Sequence, residues 1–146
     1  MYSIQRLGSA HIPRCLEILK SNFDIPWKEL DTIMNAVPNK VEGIFIKDTL
    51  VGFIAISTIV DESEILMCAV DPAYHKQGFA SALVQLSLNQ LKALNTAAVF
   101  LEVDTHNLPA KRLYTKFGFQ TIGHRKAYYL QSNGSYNDAI IMRLAL

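Results

Sequence analysis

Three places in this chain hold residues whose types and spacing suit chemistry. The first is the run His75-Lys76-Gln77-Gly78-Phe79-Ala80-Ser81, which falls where a strand-like pattern gives way to a helical one. The first amides of a helix have no partner inside it and point outward, so such a turn attracts anions. Gly78 lets the backbone approach a phosphate and Lys76 adds a full charge, which together suit a pyrophosphate. An ordinary strand-to-helix turn can be written with the same residues, and the segment by itself leaves both readings open. Neither G-x-x-x-x-G-K-[ST] nor G-x-G-x-x-G occurs, so the usual triphosphate and dinucleotide loops lose support.

The second place is Glu102, a carboxylate at the end of the apolar run Ala97-Ala98-Val99-Phe100-Leu101. Desolvation there disfavours a carboxylate's charge, which suits a proton acceptor; a solvated strand-end charge is the alternative. The third is Tyr114, on one helical stripe with Ala110, Leu113 and Phe117. A core aromatic with its hydroxyl at the edge and a proton donor are both compatible with that spacing. Cys68, among apolar neighbours, reads as a small buried residue rather than a nucleophile.

Elements that could position these groups follow from periodicity and punctuation. A strand is expected over Tyr2 to Leu7, then a helix capped by Ser9 with Ile12, Cys15, Leu16, Leu19 and Phe23 on one face. Trp27 to Val37 reads as a second helix closed by Pro38. Val41 to Lys47, Leu50 to Ile59 and Ser63 to Val70 are β-branched and apolar, separated by short polar turns, which predicts an antiparallel meander. A long helix starts near Gly78 and carries Leu83, Val84, Leu86, Leu88, Leu91 and Leu94 at helical spacing. The near-continuous apolar run Ala97 to Val103 predicts a strand buried on both faces. Asn107 caps a further helix with Pro109 in its first turn and Gly118 at its end. Phe119 to Leu130 and Tyr136 to Leu144 are two strands joined by Ser132-Asn133-Gly134-Ser135. The fold class is therefore mixed α/β, and no linker or repeat interrupts 1–146, which predicts a single domain.

Composition narrows the function. The 146 residues are 50% hydrophobic with a formal net charge of +1, which argues against a chain built to neutralise nucleic-acid phosphate or bind acidic membranes. The 2 cysteines form no C-x-x-C and the 4 histidines show no paired metal-ligand spacing, so no structural metal and a reducing compartment are expected. The N-terminus lacks the apolar core of a signal peptide, and no apolar run reaches the roughly 18 residues of a membrane span. A soluble cytoplasmic protein is the expectation.

The turn His75-Lys76-Gln77-Gly78-Phe79-Ala80 resembles the [Q/R]-x-x-G-x-[G/A] acetyl-CoA loop of the GNAT acetyltransferases, with His75 in place of the usual Gln or Arg. Ala69-Val70-Asp71-Pro72-Ala73-Tyr74 resembles the lead-in to that loop. Leu101 to Asn107 and Leu113 to Phe119 resemble the second half of the family's core. Ile25-Pro26-Trp27, Arg125-Lys126-Ala127-Tyr128-Tyr129 and Asp138-Ala139-Ile140-Ile141-Met142 extend the likeness over nearly the whole chain, and it is strongest to the ribosomal-protein-alanine N-acetyltransferase (RimI-type) subgroup. The resemblance implies a GNAT acyl-CoA N-acyltransferase fold: about seven strands in a mixed, mostly antiparallel sheet with about four helices, in the order β-α-α-β-β-β-α-β-α-β-β.

By the same resemblance the amides of Lys76, Gln77, Gly78, Phe79, Ala80 and Ser81 hold the pyrophosphate of acetyl-CoA, and Cys68, Ala69 and Val70 pair with its pantetheine arm. A bulge in that strand, as in the family, would re-aim a backbone N–H at the thioester carbonyl. Asn107 would hydrogen-bond the arm, Glu102 would act as base, and Tyr114 would protonate the leaving thiolate. Tyr128 is the choice of acceptor-groove residue, since strict alternation sends only one of Tyr128 and Tyr129 to that side. Asp104 stands where the subgroup usually carries arginine, and Ala127 and Leu130 replace a common asparagine and proline.

The resemblance implies a protein N-terminus as the acceptor, that of a ribosomal protein in the subgroup it matches. An α-amine with a pKa of about 8 costs about 1.4 kcal/mol to deprotonate at pH 7, against about 4.6 kcal/mol for a lysine, and a lone glutamate serves the first more easily. Two alternatives stand beside this: a small-amine acetyltransferase whose pocket Asp104 and Asp138 would help make acidic, and a non-catalytic acetyl-CoA-binding module.

Overall fold

Runs of alternating apolar residues separated by polar turns pair into one seven-stranded sheet, and the helices between them cover its two faces. The computed structural model of the chain describes residues 1–23 and 40–146. In chain order the elements are β1 (Ser3–Arg6), α1 (Ile12–Asn22), β2 (Lys40–Ile46), β3 (Thr49–Ile59), β4 (Glu62–Val70), α2 (Phe79–Ala93), β5 (Ala98–Asp104), α3 (Leu108–Lys116), β6 (Gln120–Leu130) and β7 (Tyr136–Ala145). The strands lie in the order β1-β2-β3-β4-β5-β7-β6. Among them only β4 and β5 run parallel, as the α2 crossover between them requires. The expected helix over Trp27 to Val37 lies outside the described residues.

Element starts follow local chemistry with one correction. Ser9 does not cap α1: it lies in a 3₁₀ turn, Ser9–His11, opened by Gly8, whose amide donates to His11 Nδ1 at 3.2 Å. α1 begins at Ile12 with Pro13 in its first turn, where a missing N–H leaves no broken bond. The Asn107 expectation holds, since Oδ1 accepts from the Ala110 amide at 3.2 Å and Gly118 ends the helix at φ 96°.

Two apolar clusters sandwich the sheet. α2 and α3 lay Leu83, Val84, Leu88 and Tyr114 on Ile54, Ile65, Val99, Leu101 and Val103. α1 lays Cys15, Ile18 and Leu19 on Phe53, Ala55 and Ala69. Each fully buried Leu, Ile or Phe contributes about 1.5–3 kcal/mol. β5 is not buried on both faces as its apolar run predicts. Val99, Leu101 and Val103 are buried against the helices, whereas Phe100, Glu102 and Asp104 are only half-buried. On that second face Phe100 carries the Arg143 guanidinium at 5.7 Å from its ring rather than a helix.

Candidate active site

The parallel pairing of β4 and β5 is short. It joins Glu62–Ile65 to Ala98–Leu101 and stops there. The cause is in β4: Ile56 of β3 faces Ile65 while the next residue, Ala55, faces Met67, so Leu66 is an extra residue. The bulge implied for this strand is thus present at Leu66. Beyond it β4 stays paired with β3 through Cys68, Ala69 and Val70, and among the described residues no strand pairs with the edge these residues turn toward β5, the Val70 carbonyl alone being met by the Asn22 and His75 side chains. A free strand edge presents backbone donors and acceptors to an extended, amide-bearing chain.

The end of that edge leads into the turn before α2. Lys76 and Gly78 both take positive φ, 62° and 84°, and Gly78 is the cap of α2. The first amide there with a backbone acceptor is that of Ala82, 3.0 Å from the Gly78 carbonyl. Among the described residues the amides of Lys76, Gln77, Gly78, Phe79, Ala80 and Ser81 have no intramolecular acceptor. A Cβ built on Gly78 would meet nothing within 4 Å, so nothing crowds the backbone at that position. A run of six unpaired amides suits an anion such as pyrophosphate. His75 takes no part in that run: its Nε2 lies 2.7 Å from the Val70 carbonyl and ties the turn back to β4.

Glu102 and Tyr114 reach the β4–β5 gap from opposite faces. Leu101 and Val103 pack in the same cluster as Tyr114, and strand alternation turns Glu102 the other way. Tyr114 is buried, stacked edge-on against Phe119 at 5.6 Å. Burial first, and then the hydrogen-bonded Cys68 thiol, pushes its phenol well above 10, so it carries its proton at neutral pH. Burial likewise pushes the Cys68 thiol up to about 12, which leaves it un-ionised and suits its reading as a packing residue.

Glu102 is paired through one carboxylate oxygen and unpartnered at the other among the described residues. Oε1 pairs with Arg125 Nη2 at 3.1 Å, while Oε2 is buried and accepts no hydrogen bond among the described residues. Tyr128 is raised by burial and then by the charge and hydrogen bond of Glu102. Tyr129 is raised by burial and then by Glu102, and it acts in turn on Tyr114. Tyr129 is thus a side chain coupled to groups on both faces. The expectation that alternation admits one tyrosine is corrected: the rings stand 4.9 Å apart and both lie near Glu102, because β6 is bulged between Arg125 and Tyr129.

Several members of this site are not legible as such in the sequence. Arg125 lies over the Tyr128 ring at 4.7 Å as well as pairing with Glu102. Glu64 follows β4 up to the gap, on the same face as Glu102, since it registers with Phe100. Its carboxyl is raised by burial and by the Glu102 charge, against the pull of Arg125. Only the cross-strand register brings these residues together, and no spacing within one segment signals it. Asn107 has its Oδ1 committed to the α3 cap. Asp104 and Asp138 are committed too: Asp104 accepts from the His106 amide at 2.8 Å and Asn137 Nδ2 at 2.9 Å, and Asp138 from the Ala127 amide at 2.8 Å.

No helix of the described residues is long and apolar enough to cross a membrane. Residues 12–119 match the family model described as Acetyltransferase (GNAT) family. The chain is 35% identical over 145 residues to the [Ribosomal protein bS18]-alanine N-acetyltransferase of Haemophilus ducreyi, covering 98% of this chain and 99% of that one. The crystal structure of the ribosomal-protein-S18-alanine N-acetyltransferase from Escherichia coli superposes with a TM-score of 0.90 at 29% identity, covering 99% and 94% of the two chains. Arabidopsis thaliana NAA60 in complex with acetyl-CoA shares the fold, with a TM-score of 0.87 at 19% identity and coverage of 100% and 99%. A run of unpaired amides, a strand gap between a phenol and a carboxylate, and a family match over most of the chain lead to one conclusion: this chain belongs to the GNAT acetyltransferase family and is an acetyl-CoA-dependent N-acetyltransferase.

Proposed function

We propose that the protein acetylates the N-terminal α-amine of a protein, with a ribosomal-protein alanine as its acceptor. The observation that carries the chemistry is the gap opened by the Leu66 bulge, which ends at the unpaired amides of Lys76 to Ser81. Acetyl-CoA lies along the free edge of Cys68, Ala69 and Val70 with its pyrophosphate on those amides, and the Asn107 side-chain NH₂ reaches its arm. The acceptor approaches from the face of Glu102, where Tyr128 and Tyr129 line its entry. The amine nitrogen attacks the thioester carbon, the C–N bond forms and the C–S bond breaks. The amine's proton passes to Glu102 Oε2, and the Tyr114 hydroxyl gives a proton to the thiolate. A backbone N–H freed at the bulge polarises the carbonyl.

Support for the acceptor comes from relatives of matching length named as [Ribosomal protein bS18]-alanine N-acetyltransferases. A ribosomal-protein acceptor and acetyl-CoA meet in the cytoplasm, which is where this reading puts the enzyme.

The test is an acceptor panel followed by mass spectrometry: peptides with N-terminal alanine, the same peptides blocked at the α-amine but carrying lysine, and polyamines. Acetylation confined to the free α-amine is expected, and acetylation of polyamines alone would overturn the reading. Glu102→Gln should lose turnover most below neutral pH, where unprotonated amine is scarce. Tyr114→Phe should lose about 10²-fold or more in kcat with acetyl-CoA affinity nearly unchanged by calorimetry. Wild-type rates in both variants would remove the two assignments.

A further inference from the structure

We propose that Asp138 is a positioning residue for the acceptor side of the site: its carboxylate clamps the bulge in β6 that presents Arg125, Tyr128 and Tyr129 to Glu102. The proposal deepens the function given above and rests on it for the role of Glu102.

The register between β6 and β7 runs Arg125 opposite Ala139 and then Tyr129 opposite Asn137, so Lys126, Ala127 and Tyr128 all stand against Asp138. Surplus residues on one strand break alternation and re-aim its side chains. Ala127 absorbs the bend at φ 49°, a left-handed conformation that an alanine adopts at a cost. Its amide, out of the ladder, donates to Asp138 Oδ1 at 2.8 Å. Asp138 is anchored in turn, because its carbonyl accepts from the Thr105 amide at 3.0 Å, just past the end of β5. One residue therefore joins the bulge to the strand that carries Glu102.

The consequence is visible in the side chains. Adjacent residues Tyr128 and Tyr129, which a regular strand would send to opposite faces, have ring centroids 4.9 Å apart. Arg125 lies 4.7 Å from the Tyr128 ring and 3.1 Å from Glu102 Oε1. The guanidinium holds one carboxylate oxygen, while Oε2 is buried and has no hydrogen-bond partner among the described residues. Without the clamp, Ala127 has no acceptor to offset its strained backbone, and the bulge is free to relax toward a regular strand that turns one of the two tyrosines away.

Two substitutions separate the clamp from a charge effect. Asp138→Asn keeps a carbonyl oxygen where Oδ1 stands, whereas Asp138→Ala removes the acceptor. With ¹³C-labelled tyrosine and no acceptor present, the ring resonances of Tyr128 and Tyr129 should shift in Asp138→Ala and keep their wild-type positions in Asp138→Asn. In turnover, Asp138→Ala should raise KM for an alanine-terminated peptide roughly tenfold with acetyl-CoA affinity unchanged, and Asp138→Asn should stay within about twofold of wild type. If Asp138→Ala does not fold by circular dichroism, Asp138→Ser, too short to reach the Ala127 amide, takes its place. Unmoved ring resonances in the variant lacking the acceptor would overturn the proposal, and so would an Asn variant as impaired as the Ala variant. Because the resonances are read without acceptor, a wild-type enzyme inactive on every peptide would sink the functional reading while the clamp is still judged on its own signal.

Discussion

At the scale of single residues, the candidate site is a set of ionisable groups whose neighbours set their protonation. Tyr114 keeps its proton because burial and the Cys68 thiol hold it high. Glu102 shares the open face with a second carboxylate, Glu64, and with Arg125. Burial, then the Glu102 charge, raises Glu64 above its ordinary 4.5, so the folded state penalises its ionised form. The penalty is absent at pH values below the unfolded value and develops as pH rises through the raised one. Glu64→Gln should therefore raise the thermal midpoint at pH 7, by about 1–3 °C since solvent at this exposed position screens the effect, and the gain should vanish below about pH 4. Scanning calorimetry at the two pH values checks this, and an equal gain at both would point to packing instead of charge.

At the scale of elements, two strand irregularities make the site, one on each side of Glu102. The extra residue Leu66 parts β4 from β5, and the surplus in β6 brings Tyr128 beside Tyr129. The second carries a strain that substitution can measure. Ala127 holds φ 49°, a left-handed conformation that asparagine or glycine tolerates better than alanine. Ala127→Gly should stabilise the protein by about 1 kcal/mol, with Ala127→Asn giving part of that gain. Urea unfolding would register it as a higher midpoint at unchanged slope. A destabilised glycine variant would mean that the Ala127 methyl makes contacts worth more than the strain.

At the scale of the whole molecule, α1 is tied to the far end of β4 and the cradle turn by side chains distant in sequence. Arg14 donates to the Leu50 carbonyl at 3.0 Å and to Asp71 Oδ2 at 2.7 Å. Asn22 Nδ2 donates to the Val70 carbonyl at 2.8 Å, the oxygen that His75 also meets. The Ala73 amide first, then Arg14, holds the Asp71 carboxyl below its ordinary 3.8. The stability this brings is present above that ordinary value and is lost as pH falls through the depressed one. Arg14→Met should cost about 1–2 kcal/mol at pH 7 and clearly less below about pH 3, read from urea unfolding at each pH. An equal cost at both pH values would assign the loss to the Leu50 carbonyl and to packing.

What could be read along the chain was whatever depends on near neighbours. The cradle at Lys76 to Ser81, the Asn107 cap, the Gly118 stop and the order of strands and helices all follow from propensity, capping and turn chemistry within a few residues. Even there Ser9 lost the cap of α1 to a 3₁₀ turn, because Pro13 lies in the first turn of a helix that begins at Ile12 and the cap falls two residues later than Ser9, at His11. Family likeness supplied the fold and named Glu102 and Tyr114 as the candidate acid/base pair. It did not supply the pairing of Glu102 with Arg125, the approach of Glu64, the second tyrosine or the engagement of Asp138. Those depend on register across separate strands, where a slip of one residue exchanges the two faces of a sheet. Bulges at Leu66 and Ala127 are such slips, stabilised by contacts that exist only once the sheet is assembled, and so the tertiary structure alone decided which side chains share the site.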